Sequence, residues 1–253
     1  MIIDADTHIT PTGEGILVEE LLERMEKAGV DKALTWLQPP YEREIAESNR
    51  YVYESVAKHG DKLLGFGWAD PNLGMEAAQE MAKKCLYEYD FYGVKLNGAQ
   101  NSFYVDDPEL ALPVIEVIAD SGKLLAFHVG ADAYEHTHPF RVAKVAERFP
   151  ELQILAVHMG GAGLPSLARA MIDVAADHEN ITLVGSNVPH PDVLQAIREL
   201  GAERVCFGSD TPFRLMHVEV AKYEALLEGE ENVTKEAREK IMGDNIARLF
   251  DLK

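Results

Sequence analysis

Leu124-Leu125-Ala126-Phe127-His128 is a short apolar run that ends in a histidine. Ile154-Leu155-Ala156-Val157-His158 repeats the pattern further along the chain. Runs of this length without polar alternation are typical of strands covered on both faces. Between them, Val142, Val145, Ala146 and Phe149 recur at threes and fours, the spacing of one helix face. The segment therefore reads as strand, helix, strand, with an imidazole at the carboxyl end of each strand.

The same alternation continues outward in both directions. Strands are expected at Ile2–Asp6, Lys32–Leu37, Leu63–Ala69, Gly93–Leu96, Leu124–His128, Gln153–His158, Ile181–Val184 and Val205–Gly208. Helical spacing recurs in Ile16, Leu17, Leu21, Leu22 and Met25, and in Leu112, Ile115, Val117 and Ile118. Pro108 and Pro191, beside Asp106, Asp107 and Asp192, mark helix starts, and Gly29, Gly122 and Gly201 mark helix ends. Unbroken alternation predicts the α/β class and a closed (β/α)8 TIM barrel, a single domain over residues 1–253. The length of 253 residues is that of one such barrel, about 250. An open doubly wound sheet would need a glycine-rich turn after the first strand, and Asp4–Thr10 contains no glycine. A last helix at about Lys235–Leu249 is expected to pack outside the barrel.

Composition narrows the partners. Lys and Arg total 24 against 43 Asp and Glu, a net charge of −19, which disfavours nucleic acid and anionic membranes. A small-molecule substrate is expected instead. Cys85 and Cys206 are scattered and make no disulfide framework, and the N-terminal stretch carries carboxylates where a signal peptide would be basic. No apolar run reaches the roughly 18 residues of a membrane span. A cytoplasmic protein is expected, and a homodimer is compatible with it.

Chemistry in a barrel sits at the carboxyl ends of the strands. The first strand ends in Asp4-Ala5-Asp6-Thr7-His8, where alternation puts Asp6 and His8 on one side, with Asp4 beside them. The fifth ends in His128, the sixth in His158 and the eighth in Asp210. Packing explains one such residue, but several are costly to bury unless they are paired or bound to a metal. Imidazoles and carboxylates together suit one divalent ion: zinc first, manganese or iron as alternatives. Around them, Trp36, Tyr41, Trp68, Asp70, Asn97, Tyr134, His136, His138, Ser186, Asn187 and Arg214 fall near the expected mouth. Lys95, Trp36, Arg214 and Asn97 are the candidates for substrate contact, Arg214 because a guanidinium binds a carboxylate through two parallel bonds. His59, His178, His190 and His217 read as surface residues, and Gly160-Gly161 as a tight turn.

These residues resemble the amidohydrolase superfamily, and most closely its amidohydrolase-related branch, which includes decarboxylases of aminocarboxymuconate semialdehyde and of resorcylate-type acids along with many hydrolases. The resemblance runs from Ile3-Asp4-Ala5-Asp6-Thr7-His8 through Gly93-Val94-Lys95-Leu96, Phe127-His128, Val157-His158-Met159-Gly160-Gly161 and Phe207-Gly208-Ser209-Asp210-Thr211-Pro212 to Asn245-Ile246-Ala247-Arg248-Leu249-Phe250. It implies metal ligation by Asp6, His8, His128 and Asp210, with Asp210 and His158 as the catalytic pair. The usual first motif of the family is H-x-H and here it is D-x-H, as a carboxylate stands first in the resorcylate-type decarboxylases. In binuclear relatives a lysine at the position of Lys95 is carboxylated. In the branch resembled here it is not a ligand, which leaves Lys95 for a substrate anion.

The leading functional expectation is a metal-dependent hydrolase that activates water to cleave a small amide, lactone or ester. Asp210 would take the proton and His158 would steady the oxyanion. The alternative is a non-oxidative decarboxylase of a small aromatic or enoic acid. A further alternative is a metal-free barrel that only binds a ligand.

Overall fold

The computed structural model describes residues 1–12, 15–38, 44–130, 132–229 and 233–252. Tyr41 lies outside the described residues. The strands are β1 (Ile3–Ile9), β2 (Lys32–Leu37), β3 (Leu63–Gly65), β4 (Gly67–Trp68), β5 (Gly93–Leu96), β6 (Leu124–His128), β7 (Ile154–Val157), β8 (Ile181–Val184) and β9 (Val205–Cys206). All pairings between them are parallel. β3 and β4 are one expected strand broken at Phe66, whose N–H still bonds Thr35 O of β2 at 3.0 Å. The ring closes where Ala5 N–H reaches Phe207 O at 3.0 Å and His8 N–H reaches Thr211 O at 2.8 Å. The fold is the expected TIM barrel.

Alternation sorts the strand residues into two layers. Ile3, Ala5, Leu34, Trp36, Leu64, Phe66, Leu124, Ala126, Leu155, Val157, Val184 and Cys206 fill the barrel. Ala33, Leu37, Val94, Leu96, Leu125, Phe127, Ala156 and Phe207 face the helices. Among those helices, Val18–Ala28 ends at Gly29, whose φ of 69° is the left-handed cap that glycine adopts without strain. The proline-marked start near Pro108 is a turn instead. The helix begins at Leu112, and the Asp107 carboxylate accepts from the N–H groups of Glu109 and Leu110.

Two elements differ from expectation in ways that matter below. In β1, Asp4 pairs with Ala33 but Thr7 with Thr35, so one extra residue is inserted. This bulge reverses the alternation: Ile3 and Ala5 face inward before it, Asp6 and His8 after it. Asp4 is left on the opposite side, where its Oδ1 accepts from Asp6 N at 3.0 Å and Ser209 N at 2.8 Å. The last helical run, Lys235–Glu239 with Asn245–Leu249, joined by a π turn, does not stay outside. Ile246 and Phe250 enter the barrel's inner cluster, and Phe250 stacks on Tyr92 at 4.5 Å and Phe66 at 6.3 Å. The amino end of a barrel leaves apolar strand starts uncovered, and an i, i+4 apolar pair plugs it. No helix among the described residues is long and apolar enough to cross a membrane.

Candidate metal centre and substrate cavity

Asp6, His8 and Asp210 are all buried, and their ligand atoms lie within 4.8 Å of one another. His8 Nε2 is 3.3 Å from Asp6 Oδ1 and 3.8 Å from Asp210 Oδ1. His8 Nδ1 lies 2.8 Å from the Leu37 carbonyl, which can only accept, so Nδ1 carries the hydrogen and Nε2 the lone pair. That Nε2 accepts from the Trp36 indole N–H at 3.1 Å.

His128 arrives from β6 in register with the inward Leu124 and Ala126. It stands outside the group of three, next to His158 with ring centroids 4.7 Å apart. His158 follows Val157, an inward residue, so a continued strand would send it outward. Left-handed backbone at His158 (φ 67°) and Met159 (φ 48°) turns the imidazole back to the centre. Asp210 also has a positive φ, 60°. Such conformations cost about 1–3 kcal/mol each and gather where geometry serves a site.

The charges are arranged in opposition. Burial pushes the Asp6 carboxyl up, but the Lys95 ammonium 3.9 Å away, helped by His8 and His158, holds it below the usual range. Burial and the neighbouring Asp6 charge push Asp210 well above that range. Burial lowers His8 and His158, and burial with His158 lowers His128 further, so the imidazoles are neutral. Burial brings Lys95 down to about 8, opposed by Asp6 and Asp210, so it remains a cation at neutral pH. The Lys95 ammonium rests 3.7 Å from the centre of the Trp36 ring.

The donor set fits a divalent cation on an observation independent of any relative. Asp6 Oδ1 and His128 Nε2 are buried without a hydrogen-bond partner, in a structure where such atoms are ordinarily satisfied. One ionised carboxylate and neutral imidazoles around unpartnered lone pairs are the chemistry of a metal site.

Above this group lies a cavity of about 310 Å³ lined by His8, Lys95, Asn97, Gln100, His128, Asp132, His158, Ala162, Asn187, Asp210, Phe213 and Arg214. Lys95, Asn97 and Arg214 therefore stand where the sequence reading puts them. Arg214 is held by the Asn187 side chain, which accepts from its Nε at 2.8 Å and its Nη2 at 2.5 Å. Trp36 does not line the cavity. It lies fully buried inside the barrel beneath His8 and Lys95, because β2 brings it in register with Leu34. Trp68 is likewise buried and bonds Asn101, and the Asp70 carboxylate accepts from Asn72 N–H at a helix start. Tyr134 and His138 line a separate surface pocket with Arg141. Gln100, Asp132, Ala162 and Phe213 escaped the sequence reading. Asp132, Ala162 and Phe213 sit beyond the strand ends in loops, and Gln100 in the one-turn helix Gly98–Asn101, all too short to carry a periodic signal.

The amidohydrolase family model (Amidohydro_2) matches residues 3–252. The chain belongs to the amidohydrolase family. A gamma-resorcylate decarboxylase of Rhizobium sp. (strain MTP-10005) is 24% identical over 289 residues, covering 91% of this chain and 86% of that protein. A solved dihydroxybenzoic acid decarboxylase from Polaromonas sp. JS666, with bound manganese and the inhibitor 2-nitroresorcinol, superposes with a TM-score of 0.77 at 19% identity, over 99% of this chain and 97% of that one. The 5-carboxyvanillate decarboxylase of Sphingomonas paucimobilis gives 0.77 at 18% identity, over 100% and 99%. These relatives correct the hydrolase expectation. The D-x-H motif does not separate the two chemistries, and the curated relatives matched over 90–91% of the chain are gamma-resorcylate decarboxylases, which are lyases.

Proposed function

We propose that this chain is a metal-dependent, non-oxidative decarboxylase of a small hydroxylated aromatic or enoic acid. The observation that carries the reading is the placing of two cations, Lys95 and Arg214, around the same cavity as the Asp6, His8 and Asp210 group. The matches to resorcylate decarboxylases support it. Asp6, His8, His128 and Asp210 would hold one divalent ion. When bound, the ion supplies positive charge that fixes a substrate carboxylate beside its adjacent oxygen. The mixed donor set accepts zinc, manganese or iron, and the Polaromonas relative makes manganese the metal to load first.

The chain's own residues do the rest. Lys95, charged and desolvated, faces the anion from the floor of the cavity. Arg214 meets it from the rim, where its bonds to Asn187 hold the guanidinium. Asn97 is buried and bonds Gln100, a polar wall for ring hydroxyls. As the carbon–carboxylate bond breaks, its electron pair stays on the substrate carbon, which takes a proton. Asp210, whose carboxyl burial and Asp6 hold well above the usual range, is the group placed to hand that proton over, while His158, neutral and with its Nε2 lone pair toward the cavity, is placed to accept one.

The test is to load the purified protein with manganese(II), add 2,6-dihydroxybenzoate and 5-carboxyvanillate, and follow CO₂ release and the ring product. CO₂ formed in step with decarboxylated ring is expected. Absence of CO₂ from a panel of hydroxybenzoates and enoic acids, with metal present, sinks the reading. Elemental analysis of His128→Ala checks the ligand set: its metal content should fall well below one per chain.

A further inference from the structure

We propose that Ser186 is a positioning residue that ties Asp6 to His158 and leaves one oxygen of Asp6 and one nitrogen of His158 for the site. The inference rests on the reading of Asp6 as a metal ligand. Ser186 lies fully buried just past the end of β8. Its Oγ donates to Asp6 Oδ2 at 2.5 Å. His158 Nδ1 is 3.1 Å from the Ser186 carbonyl, which only accepts, so Nδ1 carries the ring hydrogen. The same N–H is 3.0 Å from Ser186 Oγ, whose own hydrogen is committed to Asp6. The hydroxyl thus accepts from the imidazole and donates to the carboxylate. The direct distance from His158 Nδ1 to Asp6 Oδ2 is 3.8 Å, too long for a hydrogen bond, so Ser186 is the link between them.

Two consequences follow. Asp6 Oδ2 is occupied from behind while Oδ1, with the Lys95 ammonium 3.9 Å away, has no hydrogen-bond partner, so the carboxylate offers the centre a single defined oxygen. A short aspartate at the first position of D-x-H has little reach, and a fixed rear oxygen compensates for that. His158, with Nδ1 engaged, turns its Nε2 lone pair toward the cavity it lines. Gly208 makes the space: a Cβ there would stand 2.8 Å from Val184 Cγ1, 3.1 Å from Ser186 Cβ and 3.2 Å from Asp6 Cβ.

The experiment titrates metal-free protein with manganese(II) at 25 °C, reading free manganese by electron paramagnetic resonance, for wild type, Ser186→Ala and Ser186→Cys. Loss of a partner that orients a ligand weakens metal binding about 10–100-fold, and that drop is expected for Ser186→Ala with its circular dichroism unchanged. Ser186→Cys is slightly larger but keeps a weak donor at the same position, so its affinity should fall between the two. It also serves as the measured variant should Ser186→Ala fail to fold. A purely structural role would lower the melting temperature but leave the manganese affinity of the folded protein at the wild-type value, and that outcome overturns the proposal. Wild type that binds no manganese would instead overturn the reading of Asp6 as a ligand, so the two failures are distinguishable.

Discussion

At the amino end of the barrel, Phe250 stacks between Tyr92 and Phe66 and closes the floor with Ile246. At the carboxyl end, Asp6, His8 and Asp210 crowd within 4.8 Å, and Asp6 Oδ1 and His128 Nε2 have no hydrogen-bond partner. Most of the left-handed backbone at non-glycine residues lies at that same end, at Ser102, Asp132, His158, Met159, Asn187 and Asp210, with Asp90 and Asp251 at the amino end. One end gains stability from burying apolar area. The other spends it on desolvated charge and strained turns. Removing groups from the two ends should therefore move stability and activity in opposite senses.

Asp210→Asn gives the largest effect. It removes a carboxyl group that burial and Asp6 make costly, in exchange for an amide of equal size. Decarboxylation should fall about 10²–10⁴-fold, while the melting temperature of the metal-free protein should hold or rise. A clear fall in that temperature would show that the carboxyl end is stabilised by its charges, and the contrast would fail. Phe250→Ala is the mirror experiment. Truncating a buried phenylalanine costs about 3–5 kcal/mol, read by urea unfolding, with kcat per folded molecule unchanged. Loss of kcat in step with stability would mean that the floor transmits strain to the site.

Much of this contrast was legible in the chain. Apolar runs such as Leu124–Phe127 marked the strands, and His128 and His158 at the ends of two of them pointed to the site. Three features were not legible, each for a local reason. Asp4-Ala5-Asp6-Thr7-His8 reads as continuous alternation, and an inserted residue leaves no mark in composition, so Asp4 was placed with Asp6 rather than on the outer side. Trp36 looked like a cavity wall because aromatic residues line many binding sites. Its position beneath His8 follows from inward register with Leu34, and the strand ends one residue later, at Leu37. Ile246 and Phe250 have the spacing of an amphipathic outer helix, and only the open floor of the closed barrel tells which apolar surface they cover. The reaction class was beyond the motif itself, since an arrangement of imidazoles and carboxylates around a metal suits water activation and decarboxylation alike.

Smaller changes sharpen the comparison at the rim. Arg214→Lys keeps the charge but loses the planar fork that Asn187 holds in place. KM for a hydroxybenzoate should rise about tenfold, which corresponds to about 1.4 kcal/mol, with kcat little changed. An equal fall in kcat at constant KM would place Arg214 with the proton-transferring groups instead of with binding.

The smallest effect is expected where an ion cluster clasps the rim. Asp106, in the loop after β5, bonds Arg141 at 2.6 Å and Lys144 at 2.8 Å from the helix after β6, while Arg141 also lies over the Tyr104 ring. Burial pushes the Asp106 carboxyl up, but hydrogen bonds from Lys144 and Arg141 outweigh it and hold the group below its ordinary value. A carboxyl with a depressed folded-state value favours the fold above its unfolded value, about 3.9, and loses that contribution as pH falls through the lower, folded one. The clasp is therefore intact at neutral pH and opens only in acid. Lys144 is exposed and Arg141 half-buried, so its worth is at most about 1 kcal/mol and shrinks with salt. Comparing wild type with Asp106→Asn by urea unfolding between pH 7 and pH 2.5 isolates it. The stability gap should be constant down to about pH 4 and close below that, whereas the cost of Phe250→Ala, which involves no titrating partner, should stay level across the range. An Asp106→Asn gap that did not narrow in acid would mean that the carboxylate's charge does not hold the rim, and the distinction between a floor closed by burial and a rim clasped by charge would fall.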